Sequence, residues 1–315
     1  MKAMIMLVRR EFWEHRALWI APLITAMVLL LGATISPGSG VQVRINAGDV
    51  QINDSKVDAD SAMQWLSAMT PERQQKITVA VIGGLFVAQL LVMLVLLVFY
   101  LADALYGERK DRSILFWRSL PVSDTATVAS KLATALIAVP VLVLCYSLLT
   151  GAIAVPILEW KFSDTPFEPL LNWQFGLWLK TSALIALDML VAILWYAPLA
   201  AFLLLVSAWA KRNVFVWVFV PVLVLIVAEK WTFDTDHVAD FLGHRFTGFL
   251  TALGASQKVA VSGGSADKAV GTVIDSMDRF DASGLLGSAE LWLGVAIAAA
   301  LAFLTVRVRR YRDDT

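Results

Sequence analysis

Residues 77–102 read ITVAVIGGLFVAQLLVMLVLLVFYLA, a run of 26 positions without one formal charge. As a helix rising 1.5 Å per residue, such a run spans a hydrocarbon core of about 30 Å, and it carries no polar stripe with which to face water. Working outward, five more runs of this kind appear at about 17–35, 131–155, 179–208, 214–229 and 289–306. The expected fold class is an all-α integral membrane protein with six transmembrane helices, forming a single transmembrane domain over residues 1–315. The first run follows basic residues but is too long for the apolar region of a signal peptide, and no small-residue cleavage site follows it cleanly. The fifth, VFVWVFVPVLVLIVAE, is short and contains Pro221, so a kink or a locally thinned bilayer is expected there.

Composition agrees with this class. Hydrophobic residues make up 58% of the 315 and charged residues only 17%, whereas soluble domains carry about 25% charge. A formal net charge of zero excludes a globally basic nucleic-acid binder, so the distribution of charge is the useful signal. The single cysteine, Cys145, excludes an intramolecular disulfide. If both termini lie on one side, that side carries 15 of the 26 Lys and Arg residues within about 59 residues, which predicts cytoplasmic termini.

Outside the spans, residues 1–16 place Ile5, Val8 and Phe12 on one helical face, with Arg9, Arg10, Glu14 and Arg16 available to water or headgroups. This predicts an amphipathic interfacial helix. Two outer segments, 36–76 and 230–288, mix Gly, Ser, Asp and Asn clusters with apolar patches and are read as small folded or membrane-skimming elements. Within the second, WTFDTDHVADFLGHRFTGFLTALG has amphipathic helical character ending at Gly254.

The chain contains no GxxxxGK[ST], so it holds no P-loop for a nucleoside triphosphate; HExxH, GxSxG and CxxC are absent as well. His237, Asp240 and His244 share a helical face and form a weak candidate metal set, although polar residues on the wet side of an amphipathic helix show the same spacing. Asp188 is the one acid well inside a predicted span and is a possible path residue, since an intramembrane carboxylate is costly unless it is partnered. Gln89 in the second span reads as interhelical glue.

The most charged and aromatic stretch between spans is residues 103–131, DALYGERKDRSILFWRSLPVSDTATVASK. Its length exceeds what a hairpin between spans requires. A short helix over 108–118 is expected to present Ile114, Leu115 and Trp117 as packing anchors and Glu108, Arg109, Arg112 and Arg118 as polar contacts; Trp and Arg are the types most enriched at interface hot spots. Pro121 stops that helix, and Ser123 or Asp124 is placed to cap the next.

This stretch resembles the cytoplasmic signature of ABC-2 type permeases, the membrane subunits of one class of ATP-binding-cassette transporters. The matching residues are Glu108 and Arg109, then Ser113, Ile114 and Leu115, then Pro121, Val122 and Ser123, and finally Lys131. Arg112 and Ser130 stand where the family pattern has glycine. The resemblance implies a permease subunit, and export as its direction, in a bacterial inner membrane. It implies pairing with a second copy and docking of two copies of a cytosolic ATPase on residues 108–123. Arg9, Arg10, Lys211 and Arg212 are then secondary contacts. ATP and Mg would be bound by the partner, with no cofactor and no catalysis in this chain, and with membrane lipid rather than nucleic acid as its surroundings. The alternatives are an ion-coupled secondary transporter, for which only Asp188 qualifies, and a membrane-embedded enzyme without a recognisable motif.

Overall fold

A computed structural model of the chain describes residues 2–35, 44–46, 49–52, 55–58, 69–111, 123–163, 168–253 and 282–311. In chain order these form α1 (Lys2–Glu14) and α2 (Ala17–Thr34), three short strands, and then a helical series. The strands β1 (Arg44–Asn46), β2 (Asp49–Ile52) and β3 (Ser55–Asp58) make an antiparallel meander in that order, with Val50 opposite both Ile45 and Val57. They fall in the first segment expected to fold outside the spans. The helices that follow are α3 (Pro71–Asp103), α4 (Tyr106–Lys110), α5 (Asp124–Ala133), α6 (Val139–Phe162), α7 (Phe175–Trp209), α8 (Val214–Phe233), α9 (His237–Ala252) and α10 (Ala289–Tyr311).

Among the described residues, six helical stretches are long and apolar enough to cross a membrane: Ala17–Thr34, Pro71–Lys110, Asp124–Phe162, Phe175–Trp209, Val214–Phe233 and Ala289–Tyr311. The first matches its expected run to within one residue, and each of the others contains its expected run and extends further. α3 begins six residues earlier than expected because Thr70 accepts the Arg73 backbone N–H and Pro71 occupies the first turn, where a missing donor costs nothing. α8 continues to Phe233, which gives it about 30 Å of length. Pro221, where a kink or a thinned bilayer was expected, lies inside this helix, which runs through it without a break.

α7 is the axis of the bundle. Val191, Trp195 and Leu204 along it are fully enclosed, and it packs against α3 and α10. α8 lies at the other extreme, with only Val214 and Val218 buried. Between α5 and α6, residues Thr134–Ala138 form a π-helical turn inside an otherwise continuous helix. Pro140, two residues past this turn, has no N–H to donate and would press its ring on the carbonyl four residues back; a wider turn relieves both demands.

α9 lies in the second outer segment, where an amphipathic helix was expected, and it packs against α7 and α8. The chain reverses after α8 at Asp234, whose φ of 51° is left-handed, and the Glu229 carboxylate caps the new helix by accepting the N–H groups of His237 (2.9 Å) and Val238 (2.7 Å). Gly254, expected to end this helix, lies outside the described residues. α9 is then stitched to the interior of α7: Trp195 donates Nε1–H to the Arg245 carbonyl at 2.8 Å, and Tyr196 donates its hydroxyl to the Phe246 carbonyl at 3.1 Å. Gln89 donates to Thr150 Oγ1 at 3.1 Å between α3 and α6, the interhelical role its position suggested.

Candidate functional site

At one end of the bundle, the termini of five elements converge on a buried ionic network. Its centre is Lys131, in the last turn of α5 and wholly enclosed. Its ammonium lies 3.1 and 3.2 Å from the two oxygens of Glu11 on α1 and 3.0 Å from Glu108 Oε1 on α4. Three donors thus meet three acceptor contacts, the condition under which a buried ammonium is tolerable.

Each carboxylate is shared further. Glu108 Oε1 also accepts from Arg10 Nη2 at 2.8 Å, and its Oε2 accepts from Arg309 Nη1 at 3.0 Å. Arg309 donates from Nε to Asp124 Oδ1 at 3.1 Å, joining the end of α10 to the start of α5. Glu11 Oε2 accepts the Tyr100 hydroxyl at 2.9 Å, which ties α1 to the last turns of α3. Arg10 completes the set through Nε to Glu14 at 3.1 Å. Burial works against the Arg10 charge, but Glu11, Glu14 and Glu108 outweigh it and raise its pKa. Three cations and four carboxylates are interleaved, so each charge faces its opposite.

A second clasp lies beside the first. Ser207 Oγ on α7 accepts the backbone N–H groups of Leu105 and Tyr106, each at 3.0 Å, and satisfies donors at the start of α4. Arg109 donates to the Ser207 carbonyl and, at 2.9 Å, to the Ala210 carbonyl. The short helix α4 is therefore bonded to α7 by Arg109 and to α1, α5 and α10 by Glu108.

Of the residues expected to form a docking element, Glu108 and Arg109 face inward and serve this framework instead of standing free at a surface. Ser123 caps α5 as expected, with Oγ accepting the Ala126 N–H at 3.2 Å. Arg112, Ile114, Leu115, Trp117, Arg118 and Pro121 lie outside the described residues. Among the secondary contacts, Arg9, Lys211 and Arg212 are exposed, while Arg10, expected to point to water, turns into the network.

Glu11 and Arg309 were missed by sequence reasoning. Glu11 follows Val8 by three residues and so belongs to the apolar face of α1; an acid on the inward face of an amphipathic helix is the available signal. Arg309 shares a face with the buried Thr305 and Gly294, but its neighbours Arg307 and Arg310 disguise it as a plain basic flank.

The candidate metal set is not assembled. His244 Nε2 lies 3.2 Å from Glu290 Oε2, and among the described residues the one group of three donors within 4.8 Å of each other is Glu11, Glu14 and His15. Both Glu11 oxygens are occupied by Lys131, so this group belongs to the ionic network. Asp188 is buried, and its Oδ1 accepts the backbone N–H of Ala282 at 2.8 Å, fastening the chain just ahead of α10 to α7.

Comparison of the chain with family models, curated proteins and solved structures finds no match to any of them.

Proposed function

We propose that this chain is the membrane-spanning permease subunit of an ATP-binding-cassette transporter of the ABC-2 type, acting as an exporter in a bacterial inner membrane. In this reading six spans leave both termini in the cytoplasm, with the ionic network at the cytoplasmic face and β1–β3 outside. Two copies pair around the substrate path, and a separate ATPase, which binds ATP and Mg, docks on residues 108–123 of each.

One observation carries the reading. Glu108 and Lys131 stand at either end of the loop that resembles the ABC-2 signature, and they are in direct contact at 3.0 Å. Through Glu11, Tyr100, Asp124 and Arg309 the same contact reaches α1, α3, α5 and α10. A push on the loop is therefore delivered to four helices at once. Rigid, charge-locked termini transmit displacement better than a solvated hairpin, because separating buried partners costs several kcal/mol, of the order of 3–5. Exposed Arg9, Lys211 and Arg212 flank the network and are suited to a secondary rim of contacts.

The test is co-purification with a cytosolic P-loop ATPase of the ATP-binding-cassette type co-expressed with this chain. Trp117→Ala combined with Arg118→Glu is expected to abolish co-purification while membrane insertion stays normal. Recovery of the ATPase at ordinary yield would remove the docking assignment. Arg109 is unsuitable for this test, because its guanidinium holds α7.

A further inference from the structure

Beside the ionic network, α2, α3 and α8 enclose a groove of 810 Å³, within the range of pockets that hold drug-sized ligands. Its walls are aliphatic along most of their length, with Leu18, Ala21, Leu91 and Val95 among the lining residues. From Leu91 to Asp103 the α3 wall runs about 18 Å. At the network end the chemistry changes to a carboxylate and rings: Asp103, His15, Tyr100, Phe99 and Phe215.

Asp103 is the one carboxylate lining the groove. It is exposed and, unlike every carboxylate of the adjacent network, has no ion pair or hydrogen bond among the described residues. No Lys or Arg lines the groove, and the His15 imidazole is turned edge-on to Tyr100 with ring centroids 5.0 Å apart. Phe99 and Phe215 pack together at 5.4 Å and close the α8 side. An unpaired carboxylate bordered by aromatic rings is the chemistry that recognises an ammonium group, through charge and through the negative faces of the rings.

We infer that this groove binds a cationic amphiphile, with its ammonium at Asp103 and its alkyl chain along α2 and α3. Resting on the permease reading, this names the substrate class: an amine or quaternary ammonium compound carrying an aliphatic tail, entering sideways from the lipid. An ordinary anionic phospholipid would bring its phosphate against Asp103, a like-charge contact that disfavours it.

Full-length protein in phosphatidylglycerol nanodiscs, whose lipid carries no ammonium, is titrated with radiolabelled dodecyltrimethylammonium and with dodecyl sulfate, subtracting binding to empty discs. The expected result is saturable binding of the cation, about tenfold or more tighter than the anion. Asp103→Asn is expected to erase that preference and Asp103→Glu to keep it. Val95→Trp, which fills the groove without touching the charge, is expected to abolish binding. Equal binding of both head groups, or an undiminished preference in Asp103→Asn or Val95→Trp, would overturn the assignment in favour of a groove filled by lipid tails. ATPase co-purification is measured on the same preparations. Docking without cation binding removes only the groove assignment, and cation binding without docking removes only the permease reading.

Discussion

Lys131 and Glu11 meet at 3.1 and 3.2 Å although 120 residues separate them, and neither side chain exposes more than 1% of its surface. Burying two such charges is repaid only while both are present, because each desolvated ion depends on the other's field. The pair is therefore a device that fixes α1 against α5 and that punishes partial loss.

Lys131→Met is accordingly expected to destabilise the protein by about 3–5 kcal/mol, since Glu11 and Glu108 are left buried without their shared cation. Thermal unfolding in nanodiscs reads the loss, and amide hydrogen exchange is expected to rise first in α1. Glu11→Gln combined with Lys131→Met is expected to cost less than the two single changes added together, because the second change removes a charge that the first had orphaned. Strict additivity of the two would show that they do not form a coupled pair.

Arg109 yields a different expectation from the one its place in the signature suggests. Its guanidinium holds the Ser207 and Ala210 carbonyls at the end of α7. Arg109→Ala is expected to cost about 1.5–3 kcal/mol in unfolding free energy, the range for hydrogen bonds to charged groups. Arg109→Lys recovers little of it, because an ammonium cannot reproduce the guanidinium fork. A variant of unchanged stability would return Arg109 to the docking surface.

The contrast between these residues explains how much was legible in the sequence. The six apolar stretches were, because lipid imposes length and apolarity on each span separately and a span needs no knowledge of its neighbours. Their ends were less so: Thr70 and Pro71 start α3 six residues early through a local cap, and α8 continues four residues past its expected end at Glu229. The network was legible only in outline. Glu108, Arg109 and Lys131 stand out in their loop, but whether an Arg in a charged segment faces a partner or water depends on helices that are distant in sequence. Arg309 finds Glu108 across 201 positions, and no local pattern encodes that. α9 is another such case, since its amphipathic face reads the same whether it meets headgroups or α7.

Asp188 is expected to act as a fastener. Its Oδ1 accepts the Ala282 N–H at 2.8 Å, an acceptor role that an amide oxygen can reproduce. Asp188→Asn should keep the segment at 282–287 protected from hydrogen exchange, while Asp188→Leu should expose it, at a cost of about 1–3 kcal/mol for the orphaned donor. Transport by Asp188→Asn that stayed complete across pH would confirm that no proton on this residue is needed; a loss of transport with protection intact would instead make it a path residue.

Two glycines decide whether α9 can lie where it does. A Cβ at Gly248 would sit 2.9 Å from Trp195 Cζ2, and one at Gly294 would sit 2.0 Å from Arg245 Nη2 and 2.9 Å from its Cζ. Arg245 is buried with its guanidinium 4.3 Å above the Trp195 ring, so it has little free space into which to retreat. Small residues at helix contacts in a bundle allow this closeness, and a methyl group removes it. Gly294→Ala is therefore expected to expel the guanidinium and to loosen α9 from α7 and α10, at about 1–3 kcal/mol, the range for overpacking. Hydrogen exchange across His237–Ala252 should rise in Gly294→Ala, and Gly248→Ala should reproduce the effect from the opposite face. Combining Gly294→Ala with Arg245→Met removes the clash at its source, since the branched guanidinium is gone and a flexible apolar side chain remains. Exchange in α9 should then fall back toward the parent value, and failure of that rescue would mean that Gly294 serves the approach of the helix backbones and not the seat of Arg245.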